Sequence, residues 1–397
     1  MNAVGRNLIA LAAGGTGGHM FPAAAVAGEL RARGHDVALI TDRRGGAFGD
    51  MPGPIQTYGI RAGGVMSGGL LRRLTGLVAL AVGTLQAERL LSRLGPAVAV
   101  GFGGYASAPT MLAATRRGIA TVIHEQNAVL GRANRLLARR VTRIATSFET
   151  VTGLKPRDRA KARRTGNPVR PQITALGARP YPAPDQHGPL ALLVVGGSQG
   201  ASVFSRVVPK AVARLTEGLA GRLSISQQCR PEDLAEVERA YAAAGVRADL
   251  APFFDDMPAR LEAAHLLICR AGASTVAELA AAGRPAILVP YPHAADDHQT
   301  ANARAMERGG GAWLMPESDF TVEALAVLLE SLLTAPRTLD QAASQARAAG
   351  RADAAARLAE LVTELLPSNG EGTRTASAGT AGARPAAPTA INRERAA

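Results

Sequence analysis

Six residues, Gly14-Gly15-Thr16-Gly17-Gly18-His19, bring together four glycines, a hydroxyl and an imidazole directly after an apolar run. Backbone without Cβ atoms lets a phosphate approach closely, and a helix beginning there would offer free N–H groups and positive partial charge. A histidine at the same place titrates near neutrality and can act as a base. A dinucleotide-binding loop is the competing reading. Its G-x-G-x-x-G fingerprint fails at Met20, where the third glycine should stand, but Asp42 at the end of the next strand keeps it open. A plain tight turn capped by Thr16 is the structural alternative.

Further groups of the same kind recur. Gly101-Phe102-Gly103-Gly104-Tyr105 follows a second apolar run, so two glycine loops could hold the two phosphates of a pyrophosphate; close helix–strand packing would use the same glycines. His124-Glu125-Gln126-Asn127 places two acid/base candidates and two amides in a row, as chemistry or as a hydrogen-bonded turn. Ser198 follows Gly196-Gly197 as a phosphate ligand or a cap, and Arg170 follows Asn167-Pro168-Val169 at a break in the pattern. Glu278 sits one turn inside a helix begun by Ser274-Thr275, able to reach a sugar diol or to complement the helix dipole. The loop holding His293, Asp296, Asp297, His298 and Gln299 invites a metal, but its spacing fits no compact ligand set, so none is expected. Leu70-Leu71-Arg72-Arg73-Leu74 opens an apolar stretch with basic residues at one end, suited to a lipid surface or to a buried crossover helix.

The elements that must carry these loops alternate. Strand-like runs at Asn7–Ala12, Asp36–Thr41, Ala97–Gly101, Thr121–His124 and Arg143–Thr146 are separated by alanine-rich helical stretches, a βαβ pattern that gives a parallel sheet. After a proline- and glycine-rich passage the cycle restarts at Leu190–Val195, and again at Leu266–Arg270 and Pro285–Tyr291. The expected fold class is α/β, with two doubly wound Rossmann-like domains. The 397 residues suit two domains: 1–166, a linker over 167–190, and 191–344. The Ala/Gly/Thr/Ser/Pro composition of 368–397 predicts a disordered tail.

Charge is uneven. Residues 1–170 carry 24 Lys+Arg against 8 Asp+Glu, while 171–397 carry 21 against 24. The first half is thus suited to an anionic substrate or membrane surface. Aromatics at 4% and the lack of an aromatic-interleaved basic motif argue against nucleic acid. Only three of the 45 basic residues are lysine, so coding bias contributes to the arginine count. Cys229 and Cys269 form no pairing or metal pattern, which suggests a reducing compartment. No signal peptide and no run long enough to span a bilayer is read.

Taken in order, Gly14–His19, His124–Asn127, Gly166-Asn-Pro-Val-Arg170, Gly196-Gly-Ser-Gln-Gly-Ala201, Phe254-Asp-Asp-Met257 and Cys269–Glu278 resemble the MurG family of peptidoglycan N-acetylglucosaminyltransferases over residues 7 to about 365. The resemblance implies a GT-B fold, two Rossmann-like domains across a cleft, with a helix over about 345–365 packing back on the first. It implies inverting transfer of GlcNAc from UDP-GlcNAc to the C4 hydroxyl of undecaprenyl-linked lipid I, giving lipid II, with no cofactor and no metal. It places the enzyme peripherally on the cytoplasmic face of the inner membrane, beside cell-wall synthesis proteins.

By position, the resemblance assigns the donor to Thr16, Gly17, Gly18, Asn127, Arg170, Ser198, Ala273, Ser274, Thr275, Glu278 and Gln299, with Phe254 behind the uracil. His298-Gln299 stands where many members carry two glutamines. The acceptor pyrophosphate falls to Gly14, Gly15, Gly103, Gly104 and Tyr105, and membrane contact to Leu70, Leu71, Arg72, Arg73 and Leu74. His19 is the expected base, with Glu125 as its rival. A UDP-GlcNAc 2-epimerase shares the architecture but has no need of a basic, lipid-facing half. A non-catalytic nucleotide-sugar-binding subunit would tolerate loss of His19 and Glu125, and a nicotinamide dehydrogenase lacks the third glycine.

Overall fold

The computed structural model describes residues 6–14, 17–42, 55–62, 70–104, 106–197 and 201–367; of residues 70–74 it describes the backbone only. Strands β1 (Leu8–Ala12), β2 (Asp36–Thr41), β3 (Gln56–Gly59), β4 (Val98–Gly101), β5 (Ala120–Glu125), β6 (Arg143–Thr146) and β7 (Ala162–Arg164) form a sheet in the order β3-β2-β1-β4-β5-β6-β7. Strands β8 (Leu190–Val195), β9 (Leu223–Gln228), β10 (Arg247–Ala251), β11 (Leu266–Cys269), β12 (Ala286–Leu288) and β13 (Ala312–Leu314) form another, β10-β9-β8-β11-β12-β13. Every pairing is parallel.

Parallel sheets need both faces covered, so their central strands read as unbroken apolar runs. Ile9, Ala10, Leu11 and Ala12 of β1 are fully buried, as are Val98, Ala99 and Val100 of β4. Strand order reverses at β1/β4 and again at β8/β11. At such a switch point the loops leaving the carboxyl ends diverge and open a crevice for a ligand. The loops at Gly14 and Gly103 therefore lie side by side in the first sheet, with the β5 loop next to them.

Two expectations change. The stretch 167–190 is not all linker: Pro171–Leu176 is helical, and Val169, Ile173 and Leu176 are buried in the core of the second sheet. The helix expected over 345–365 is two helices, Pro336–Ala349 and Ala354–Thr363. Gly350 separates them with extended backbone (φ −70°, ψ 162°), and a Cβ there would lie 2.5 Å from the Ala280 carbonyl oxygen. Only the second helix reaches the first sheet, where Leu358 and Val362 join its core.

Arg284 is fully buried in the second half. Its guanidinium donates to the carbonyls of Leu261 (2.6 Å), Ala282 (2.9 Å) and Glu262 (3.1 Å). These carbonyls belong to the C-terminal turns of the helices Met257–Ala263 and Ala273–Ala282, where a cation meets unpaired acceptors and the negative dipole ends. Arg284→Met fills similar volume but strands those carbonyls, and should lower stability by roughly 3 kcal/mol in urea denaturation. An unchanged unfolding midpoint would contradict this role.

Candidate active site

The base candidate is held by a relay. His19, three residues into the Gly17–Ala32 helix, is partly buried with its Nδ1 2.9 Å from Gln126 Oε1. Gln126 in turn donates from Nε2 to the Phe102 carbonyl at 3.0 Å. A carbonyl can only accept, so the amide is oriented with its oxygen toward the ring, and Nδ1 must carry the proton. Nε2 then keeps its lone pair and has no hydrogen-bond partner among the described residues. Burial holds the ring's pKa below 6.5, against the opposing pull of Gln126 and the Phe102 carbonyl. Gln126 stood in the motif but was not singled out from sequence, because its value lies in orientation across two strands.

Glycine is required here by contact. Gly103 and Gly104 both have positive φ (89° and 76°). A Cβ on Gly103 would sit 3.0 Å from the His19 ring, and one on Gly104 would sit 3.0 Å from the Gly14 backbone. Gly17 and Gly18 open the helix that carries His19. Gly15, Thr16, Tyr105 and Ser198 lie outside the described residues.

Glu125 has another task. Its Oε1 accepts from the backbone and side-chain N–H groups of Asn127 (2.9 and 3.4 Å), and its Oε2 from Gly131 N (2.8 Å) and Asn134 Nδ2 (2.9 Å). Burial still pushes its pKa up despite these four donors. The carboxylate ties the 126–131 loop to the start of the Arg132–Leu137 helix and has no free edge for a substrate proton.

The two halves meet at Asn302, fully buried and unremarked in the sequence. Its Oδ1 accepts from Ala128 N (2.8 Å) in the first half. Its Nδ2 reaches Asn127 Oδ1 and the Ala271 carbonyl of the second half, both at 3.1 Å. Ser274 Oγ donates to the Gly18 carbonyl (3.4 Å), and Asp296 takes Arg135 (3.1 Å) and Arg132 (3.6 Å).

On the far wall, Arg170 pairs with Glu278 at 3.0 Å, so the two residues read separately form one unit. Burial raises the Glu278 pKa and Arg170 pulls it back. Gly272 precedes the Ala273–Ala282 helix without a side-chain cap, leaving the first N–H groups at Ala273, Ser274 and Thr275 directed outward. Gln299 Oε1 accepts from Ala271 N (3.2 Å) and Tyr291 N (2.9 Å), which leaves its NH₂ for a ligand.

Phe254 is corrected. It is 5% exposed, packs in the core and carries Arg260 over its ring at 3.8 Å. Its neighbour Phe253, 68% exposed, is the ring a base could stack on. Sequence position fixed the pair but not which ring points inward.

His19, Gly103, Gly104, Gln126 and Asn127 line a cavity of about 560 Å³ together with Leu77, Leu80, Leu130 and Leu136. The Arg132–Leu137 helix exposes Leu136, and the Leu70–Leu94 helix also exposes Leu77, Val78 and Leu85. Leu70, Leu71, Arg72, Arg73 and Leu74 begin that helix, with side chains outside the description. Among the described residues no helix is long and apolar enough to cross a membrane.

The N-terminal domain of glycosyltransferase family 28 matches residues 9–146, and its C-terminal domain matches 191–358. The chain belongs to glycosyltransferase family 28. A Rhodospirillum centenum protein named UDP-N-acetylglucosamine–N-acetylmuramyl-(pentapeptide) pyrophosphoryl-undecaprenol N-acetylglucosamine transferase is 59% identical over 89% of this chain and 93% of its own. The crystal structure of Acinetobacter baumannii MurG superposes with a TM-score of 0.74 at 31% identity, covering 91% of this chain and 100% of that one. A Neisseria meningitidis UDP-GlcNAc 2-epimerase bound to UDP-GlcNAc reaches a TM-score of 0.62 at 11% identity over 90% of this chain and 100% of that one, which shows a shared fold alone. The family 28 chain is thus a two-domain GT-B protein.

One buried group of this family 28 site links it to pH. His124 Nε2–H donates to the Gly166 carbonyl at 3.0 Å, and burial lowers its pKa to about 4. The unfolded chain takes up that proton near pH 6.5, so the contribution is complete above 6.5 and is lost as pH falls toward 4, by about 3 kcal/mol. His124→Gln keeps a donor and should flatten this loss in denaturation at pH 7 and 4.5. Equal losses in both proteins would contradict it.

Proposed function

We propose that the chain transfers GlcNAc from UDP-GlcNAc, with inversion, to the C4 hydroxyl of N-acetylmuramoyl-(pentapeptide)-pyrophosphoryl-undecaprenol, giving lipid II without a metal. The observation that carries this reading is the 59% identity, across 89% of the chain, to a relative named for that transfer. The geometry supports it. His19 Nε2 takes the proton of the C4 hydroxyl as that oxygen attacks the anomeric carbon, and the bond from that carbon to the UDP oxygen breaks. Charge developing on UDP is met by the N–H groups of Ala273–Thr275 and by Arg170, with Ser198 assigned there by resemblance. Gln299, Asn127 and Glu278 take donor hydroxyls, and Phe253 takes the uracil. The glycine loops at Gly14 and Gly103 hold the acceptor pyrophosphate.

Against an epimerase, the support is the named relative together with the cavity wall. Its lining joins His19 to Leu77 and Leu136, which are themselves exposed, as are Val78 and Leu85 on the same helix as Leu77. Arg139 and Arg140, both exposed, follow directly on the helix that bears Leu136. This combination suits the anionic cytoplasmic leaflet of the membrane, with apolar side chains in the interface and arginines on headgroups.

With a lipid I analogue and labelled UDP-GlcNAc in EDTA, the chain should form a lipid-linked disaccharide. His19→Ala should lower kcat by about 10²–10⁴-fold and leave UDP-GlcNAc affinity unchanged. Failure to form the disaccharide, or near-normal kcat in the variant, would overturn the reading. Leu77→Asp combined with Leu85→Asp should weaken binding to anionic vesicles while donor affinity holds. Vesicle binding equal to the parent's would remove this face from the membrane contact.

A further inference from the structure

A second cavity, of about 280 Å³, lies where the chain passes between the two halves, behind the helix Ala273–Ala282. Both crossings line it: Gly166-Asn167 on the way into the second half, and Gly350-Arg351 on the way back. The packing there is tight. A Cβ on Gly166 would come within 2.6 Å of Arg351 Cβ, and one on Gly350 within 2.5 Å of the Ala280 oxygen.

Three arginines from three elements line this space: Arg164 at the end of β7, Arg308 at the end of the His298–Arg308 helix, and Arg351. One carboxylate, Glu149, joins them; it is 86% exposed and 3.8 Å from Arg164. Arg308 and Arg351 have no ion pair among the described residues. Asn167 is 6% exposed, and its Nδ2 donates to the Ala273 carbonyl. Its Oδ1 is buried without a hydrogen-bond partner among the described residues. The walls thus offer an excess of two positive charges, several fork-shaped donors and one acceptor in want of a hydroxyl.

We infer that this interdomain cavity binds a small hydroxylated phosphate monoester, with the phosphate on Arg308 and Arg351 and a hydroxyl on Asn167 Oδ1. A ligand there touches both crossings and the helix whose first N–H groups face the main cleft. Its binding is therefore coupled to the relative setting of the two halves, reciprocally with any ligand in that cleft. Arg308, Arg351 and Asn167 lie outside the transfer site, so this binding does not depend on the transfer reaction.

Calorimetric titration of the full chain with glycerol 3-phosphate tests it, alone and with saturating UDP. Binding is expected to be tighter than that of inorganic phosphate, and its affinity should change when UDP is saturating. It should fall about tenfold or more in Arg308→Ala/Arg351→Ala, whose UDP affinity and melting temperature match the parent. Arg308→Ala alone, at an exposed position, should give a smaller loss in the same direction. No binding at millimolar concentrations, equal affinity for inorganic phosphate, or unchanged binding in the double variant would each overturn it.

Discussion

The orientation of one amide determines what the cleft can do. Gln126 spends its NH₂ on the Phe102 carbonyl, so only its oxygen is left for His19. That fixes the imidazole as the Nδ1–H form and leaves a basic Nε2. Reverse the amide and the same histidine would present a proton where a lone pair is needed. The contact spans three strands: His19 follows β1, Phe102 follows β4 and Gln126 follows β5. It forms because those strands are neighbours in the order β1-β4-β5. The switch point, which any doubly wound sheet possesses, becomes a chemical site through this hydrogen-bonded bridge.

Around it, other groups hold the parts in register. Glycines at 103 and 104 let the β4 loop close onto the His19 ring and the Gly14 backbone. Glu125 holds the β5 loop through four N–H donors. Asn302 carries the arrangement across to the second half by bonding the backbone of Ala128 and Ala271 at once. Asp296 and Asp297 sit at φ 52°, a conformation costly for residues with a Cβ, in the turn that leads to Gln299. Its ties to Arg132 and Arg135 help to hold that turn in place.

Much of this was legible in the sequence, for a definite reason. Central parallel strands are apolar throughout, so β1, β4, β8 and β11 stood out, as did the glycine turns after them. Edge strands were not legible: β3 is mostly exposed and β10 half so, and neither carries an apolar run. The close approach of Ala280, seventy residues away, that requires glycine at the 350 break has no local signal. The choice between Phe253 and Phe254 turned on which side of the chain faces the core. Glu125 read as a possible base because a row of polar residues shows which groups are present and not what they touch. Asn302 gave no local signal, being one asparagine in a helix whose partners lie in the other half. Arg284 was likewise one arginine among many until the two helix ends around it were placed.

The proposed transfer depends most on a neutral His19 imidazole with its lone pair at Nε2. Nitrogen-15 NMR of the histidine-labelled chain, assigned with His19→Ala, measures this directly. At pH 7.5 the His19 Nδ1 should show the shift of a protonated ring nitrogen and Nε2 that of an unprotonated one, with a titration midpoint below 6.5. A proton on Nε2 at that pH, or a midpoint above 6.5, would contradict the account.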